Sequence, residues 1–393
     1  MKKHTSFGLL VIVTLLLIAT AVLSTQSNTS TPGQATPDQT AELLTRISTS
    51  TPMPFTGKLV RLAWFYKPPQ EGQLDFLAEN FDLFILTHKD ESERTQLKTL
   101  GVESPISQYL LFLVISDPGE CDKEPNGNQV AFKTGDFCQI SDLHPDWFLL
   151  DQNGNRIRSG KSSYYMDPGS QGYRAFWLER ARELQETYGW EMIFLDNVEA
   201  SLTKMTSEDI QVAQYRDDAS YQAAVEGFLE FIRHNYFEPR GKPMYGNIVS
   251  VAEDAVWDRY MQYLDGALVE SFATSWSDGY PSVKAWEAEM TQTERALAQG
   301  KTLILVAQGD QADIELQQFA FASYLLISNG NTFFRYTNAD AYREIWMYEN
   351  YQFDLGIPLG NRYKVKESWR RDFTKGYVTV NPQDHKVEIV TTP

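Results

Sequence analysis

From Lys58 onward, short runs dense in Val, Ile, Leu and Phe alternate with longer stretches whose apolar residues recur every three or four positions. The first pattern suits buried strands, and the second suits helices with one face on a core. Strands are predicted at Lys58–Tyr66 (KLVRLAWFY), Phe81–Thr87 (FDLFILT), Ile106–Ile115 (ISQYLLFLVI) and Glu191–Leu195 (EMIFL). Four more follow at Pro243–Ile248, Leu264–Phe272 (LDGALVESF), Thr302–Ala307 (TLILVA) and Thr332–Tyr336. Between them the spacing predicts helices at Gly72–Glu79, up to Leu100, and at Gln171–Tyr188, Ser220–Phe237, Val283–Gln299 and Ile314–Ser328. Asp167-Pro168-Gly169-Ser170 marks the start of one helix, and Gly189 marks its end.

Eight strands, most followed by a helix, predict a parallel sheet closed into a (β/α)8 TIM barrel over residues 55–362. An open doubly wound sheet usually has fewer strands, and no G-x-G-x-x-G follows any strand here. A long insertion, residues 116–166, interrupts the alternation after the third strand. Residues 363–393 read as a small C-terminal β appendage, with Gly376 at the turn of a strand pair.

The first 23 residues have a different pattern. Lys2, Lys3 and His4 precede an apolar run from Phe7 to Leu23, which reads either as a cleaved export signal or as a membrane anchor. Residues 24–54 are rich in Ser, Thr, Pro and Gln and carry few large apolar side chains, the composition of a flexible linker. Together these segments predict an exported protein, extracellular or tethered at the cell surface. Cys121 and Cys138 lie close together in the insertion, where export would permit a disulfide. A net charge of -17 without a basic stripe argues against nucleic acid as a partner.

In such barrels, reactive side chains stand at the C-terminal ends of the strands. The polar residues just past the apolar runs are Tyr66, His88, Asp196, Asn247, Glu270, Gln308 and Arg335. Two of them are carboxyls. Asp196 and Glu270 are 74 positions apart, which fits two βα units of about 35–40 residues each. They would therefore come from strands separated by one neighbour and could face one substrate. A carboxyl pair, one ionised and one protonated, is the requirement for glycosidic cleavage. The bland alternatives are a helix cap for Asp196 and a structural role for Glu270, with Glu199 as the reserve acid.

Aromatic residues add to this reading, because sugar rings stack their C–H faces on them. Tyr66, Tyr165 and Trp276, with Trp276 in the polar loop ATSWSDGY, are the candidates here. Asn247, Gln308, Arg335 and His88 would hold hydroxyls. Five histidines without H-x-x-x-H or H-x-H spacing give no metal signature, and G-x-S-x-G is missing, so no cofactor is expected.

At these residues the sequence resembles a known group. HPDWFLLDQNGNRI (His144–Ile157), YYMDPGSQGYRAFW (Tyr164–Trp177) and GWEMIFLDNVE (Gly189–Glu199) resemble the bacterial glycoside hydrolase-like family 15. That group is similar to the endo-α-1,4-polygalactosaminidase barrels. DLGIPLG (Asp354–Gly360) and WRRDFTKGYVTVNP (Trp369–Pro382) match its ending. The resemblance implies a (β/α)8 barrel acting on polysaccharide, with Asp196 as nucleophile or base and Glu270 as acid. It gives no particular sugar, and the Cys121–Cys138 insertion is not matched to the shared pattern. The competing class is a non-catalytic carbohydrate-binding barrel. A polysaccharide deacetylase is a third, but it would normally need an Asp/His metal set.

Overall fold

The computed structural model describes residues 57–69, 72–251, 254–275 and 279–392. The apolar N-terminal run, the linker and Trp276 lie outside the described residues. Elements are numbered in chain order. Eight parallel strands form one sheet, beginning β1 (Ala63–Phe65), β2 (Leu83–Leu86), β3 (Ile106–Leu111) and β6 (Met192–Glu199). It continues through β7 (Met244–Val249), β8 (Gly266–Val269), β9 (Thr302–Gln308) and β10 (Thr332–Thr337). Leu62 pairs in parallel with Phe334, whose N–H donates to the Arg61 carbonyl, so the last strand lies beside the first. The sheet closes into a (β/α)8 TIM barrel.

Helices α1 (Leu74–Asn80), α2 (Glu91–Thr99), α4 (Gln171–Glu186) and α5 (Asp218–Ile232) follow successive strands, and α6 (Asp254–Met261), α7 (Val283–Ala298) and α8 (Ile314–Ile327) continue the ring. Ser170 and Asp217 cap α4 and α5, each side chain accepting a backbone N–H from the first turn. Alternation along the strands separates two cores. Phe65, Ile85, Phe194, Leu268, Ile304 and Phe333 fill the barrel, while the opposite strand face packs against the helices.

Two parts depart from expectation. The third apolar run does not continue to Ile115 in the barrel. It breaks after Leu111, and β4 (Val114–Ser116) pairs antiparallel with β5 (Ser163–Tyr165) inside the insertion. That insertion also contains α3 (Asp136–Leu143) and the Cys121–Cys138 disulfide. At the C-terminus the predicted strand pair is a four-stranded antiparallel sheet: β11 (Tyr363–Val365), β12 (Ser368–Phe373), β13 (Gly376–Val380) and β14 (Val387–Thr391). This sheet covers α8, which is why IELQQFAFASYLLI is apolar nearly all round. Arg371 joins the two, donating to the carbonyls of Leu325 and Ser328.

Candidate active site

The site is built at the C-terminal mouth of the barrel, beginning with an irregularity in β6. The register with β7 shifts between Leu195 and Val198, and Asn197 adopts a positive φ of 56°. Such a bulge re-aims side chains. Phe194 belongs to the barrel interior, and Asp196, two positions on, shares its side of the strand. Asp196 is only 7% exposed. Its Oδ2 accepts from the Tyr109 hydroxyl at 2.5 Å and its Oδ1 from Asn247 Nδ2 at 3.1 Å. Burial pushes the Asp196 carboxyl up from its ordinary range, and the Tyr109 and Asn247 hydrogen bonds draw it back.

Glu270 stands one residue past β8. Asn247 Nδ2 also donates to its Oε2, at 3.2 Å, so one amide bridges both carboxyls. The two contacts laid end to end hold Asp196 Oδ1 and Glu270 Oε2 within about 6.3 Å of each other, and near about 5.5 Å for the trigonal angle between amide hydrogens. Burial raises the Glu270 carboxyl, and the Asp196 charge raises it further. Hydrogen bonds from Asn247 and from the Tyr342 hydroxyl, the latter at 3.4 Å, oppose the rise. Gln308 Nε2 donates to the Glu270 carbonyl at 3.1 Å and fixes the backbone beneath the acid.

Tyr66 completes the floor. It follows β1 with φ at 74°, a strained conformation for a residue with a Cβ. Its ring lies 5.0 Å from Tyr109 and 5.2 Å from Tyr342, and its buried hydroxyl has no hydrogen-bond partner. Burial and both carboxyl charges hold that hydroxyl protonated. Lys204 supplies positive charge that lowers both carboxyls. Its ammonium is held at 2.8 Å by Glu199, which also accepts from Ser250 at 2.7 Å.

A sequence model of hypothetical glycosyl hydrolase family 15 matches residues 120–377, about two-thirds of the chain. The chain belongs to that family. The match takes in β6 through β12 and therefore both carboxyls of the pair. No match to a curated protein was found. Among solved structures, the glycoside hydrolase domain of PelA from Pseudomonas aeruginosa is similar at 19% identity, covering 74% of this chain and 98% of that one, with a TM-score of 0.48. A maltogenic alpha-amylase from Thermotoga neapolitana is similar at 11% identity, covering 84% and 87% of the two chains, with a TM-score of 0.49.

In this family 15 barrel, Asp196, Glu270, Asn247, Tyr66 and Gln308 come together. His88 does not join them. Inward positions on β2 are Leu83 and Ile85, so His88 turns away to Glu91 at 3.2 Å and packs 4.5 Å from the Tyr188 ring. Tyr165 is buried in the insertion hairpin, where burial raises its phenol and the Glu199 and Lys204 charges act on it in opposite directions. Arg335 reaches the site only through a neighbour. Fully buried over Trp64 and Phe65, it donates to the carbonyls of Tyr342 at 2.9 Å and Glu344 at 3.4 Å, clamping the loop that presents Tyr342. Tyr109, Tyr342 and Lys204 are the functional candidates that the strand-end reading passed over.

Proposed function

We propose that the chain hydrolyses glycosidic bonds of a polysaccharide, with Asp196 as nucleophile and Glu270 as general acid and base. The observation that carries this reading is the Asn247 amide shared by two carboxyls, one buried and one partly buried. Burial raises both carboxyls, and their hydrogen bonds differ in the sense this mechanism needs. Asp196 accepts a short bond from Tyr109, which favours its ionised form. Glu270 receives only longer contacts, at 3.2 and 3.4 Å, and feels the Asp196 charge, which favours its protonated form. Glu270 would give its proton to the leaving oxygen as Asp196 Oδ bonds to the anomeric carbon. Water would then lose a proton to Glu270 and displace Asp196.

The separation favours retention. Retaining pairs stand about 5–5.5 Å apart and inverting pairs about 6.5–9.5 Å, since the latter must admit a water. The oxygens bridged by Asn247, within about 6.3 Å of each other, match the closer spacing better than the wider one. The unpartnered Tyr66 hydroxyl suits a substrate oxygen lying between the acids. Export is part of the proposal, supported by the N-terminal pattern and by the Cys121–Cys138 disulfide, a bond suited to oxidising compartments. The test is turnover of a cell-wall and exopolysaccharide panel by wild type, Asp196→Asn and Glu270→Gln, with NMR of the first-formed anomer. Loss of turnover in both variants and a retained anomer are expected. Equal turnover by all three ends the assignment, and glycan binding without any cleavage would favour a binding barrel.

A further inference from the structure

Beside the acid pair lies a cavity of about 580 Å³ whose far walls the catalytic reading does not use. Asn247 and Glu270 form one wall. The others come from α6, through Trp257, and from α7, through Glu289 and Gln292. It therefore opens from the Glu270 side of the pair into the junction between the fifth and sixth βα units. The volume is that of a small-molecule site rather than a packing defect.

The lining is chemically unusual for a space between helices. Glu289 is partly buried at the cavity wall, and one of its oxygens accepts the Ala273 N–H at 2.7 Å. Burial without a compensating cation pushes its carboxyl up to about 8, so near neutral pH it presents an O–H as well as a carbonyl. Gln292 stands three positions on, on the same helix face, with an amide that both donates and accepts. Two neighbouring neutral groups, each donor and acceptor, match the paired hydroxyls of a sugar ring, and Lys204 and Asp254 line the same cavity nearer its β7 side. The Trp257 indole supplies an aromatic wall on the α6 side.

We propose that this cavity is the subsite for the sugar on the leaving-group side of the scissile bond, with Glu289 and Gln292 hydrogen-bonding its ring hydroxyls. The inference rests on the hydrolase reading for its orientation: a general acid stands on the leaving-group side, and the cavity begins at Glu270. It makes Glu289 and Gln292 specificity residues for a pyranose there.

The test compares wild type with Gln292→Ala and with Gln292→Trp, which fills the space, after thermal melts show that both variants fold. Probes are 4-nitrophenyl glycosides, whose leaving group needs no sugar subsite, and hexaoses of glucose, galactose and N-acetylglucosamine. A fall of about tenfold in kcat/KM on a cleaved hexaose, with the nitrophenyl glycoside within about twofold of wild type, is expected for loss of one ring's contacts. Equal losses on both probes, or no loss on either, overturn the subsite. If wild type cleaves nothing, the hydrolase reading fails separately. Hexaose affinity, measured by calorimetry in the Glu270→Gln background, then decides the subsite. Weaker binding with Gln292→Trp supports it, and unchanged or undetectable binding overturns it.

Discussion

The Tyr109 hydroxyl lies 2.5 Å from Asp196 Oδ2 and donates to it from within the barrel. Burial and the carboxylate keep Tyr109 protonated, so it serves as a fixed donor rather than an acid. A hydrogen bond to a charged group contributes about 1.5–3 kcal/mol. Tyr109→Phe should therefore lower kcat/KM about 10- to 100-fold at neutral pH. The sign of the pH effect follows. Removing a donor that favours the ionised form raises the Asp196 pKa, so activity is lost at a higher pH on acidification. A pH–rate profile checks this, and an unmoved acid limb would show that the bond does not tune Asp196.

Tyr342 acts on the other acid, more weakly, because its contact to Glu270 is 3.4 Å. That bond lowers the Glu270 carboxyl. Tyr342→Phe should raise it, moving the alkaline limb of the profile upward. Arg335 holds the same loop by its carbonyls, so Arg335→Met should reproduce part of the Tyr342→Phe shift while also lowering stability. A shift with Tyr342→Phe but none with Arg335→Met would separate the clamp from the acid.

The barrel and half of the site were legible because both follow a period. Apolar runs that end in a polar residue locate Asp196, Asn247, Glu270 and Gln308, since each strand delivers its last inward side chain to the same mouth. His88 misled because the run FDLFILT was read to its end, whereas β2 stops at Leu86 and the next residues turn outward. Tyr109 was hidden because a run read through to Ile115 masks the position where the barrel strand stops. Tyr342 lies in a loop with no periodic pattern. Glu289 sits in WEAEM as if on a solvated helix face, and only the packing of α7 against the β8 turn desolvates its carboxyl. The helix α6 was missed as a short segment between two strands, yet it forms one wall of the cavity.

The Cys121–Cys138 disulfide closes a loop with a sequence separation of 17. A loop of about 15 residues loses roughly 3 kcal/mol of chain entropy when cross-linked. Reduction, or Cys121→Ser with Cys138→Ser, should lower the melting temperature by several degrees and expose the insertion first. Limited proteolysis under reducing conditions should cut between residues 117 and 135 before any barrel helix. Simultaneous loss of insertion and barrel would mean that the two unfold together and that the bond acts on the whole fold.

Glu289 should make stability fall as pH rises. Its carboxyl is raised from 4.5 to about 8 in the folded chain. Between those values the folded state holds a proton that the unfolded state has released. A raised folded pKa contributes stability that is complete below the unfolded value and is lost as pH climbs through the folded one. The loss approaches about 1.4 kcal/mol per pH unit across that window. Glu289→Gln keeps an acceptor for the Ala273 N–H and cannot ionise. Urea unfolding at pH 5 and pH 8 should show a smaller difference in the variant than in wild type, because other titrating groups remain. The variant should be the more stable at pH 8. Equal pH dependence in both would mean that the buried carboxyl finds a charge-compensating partner in solution.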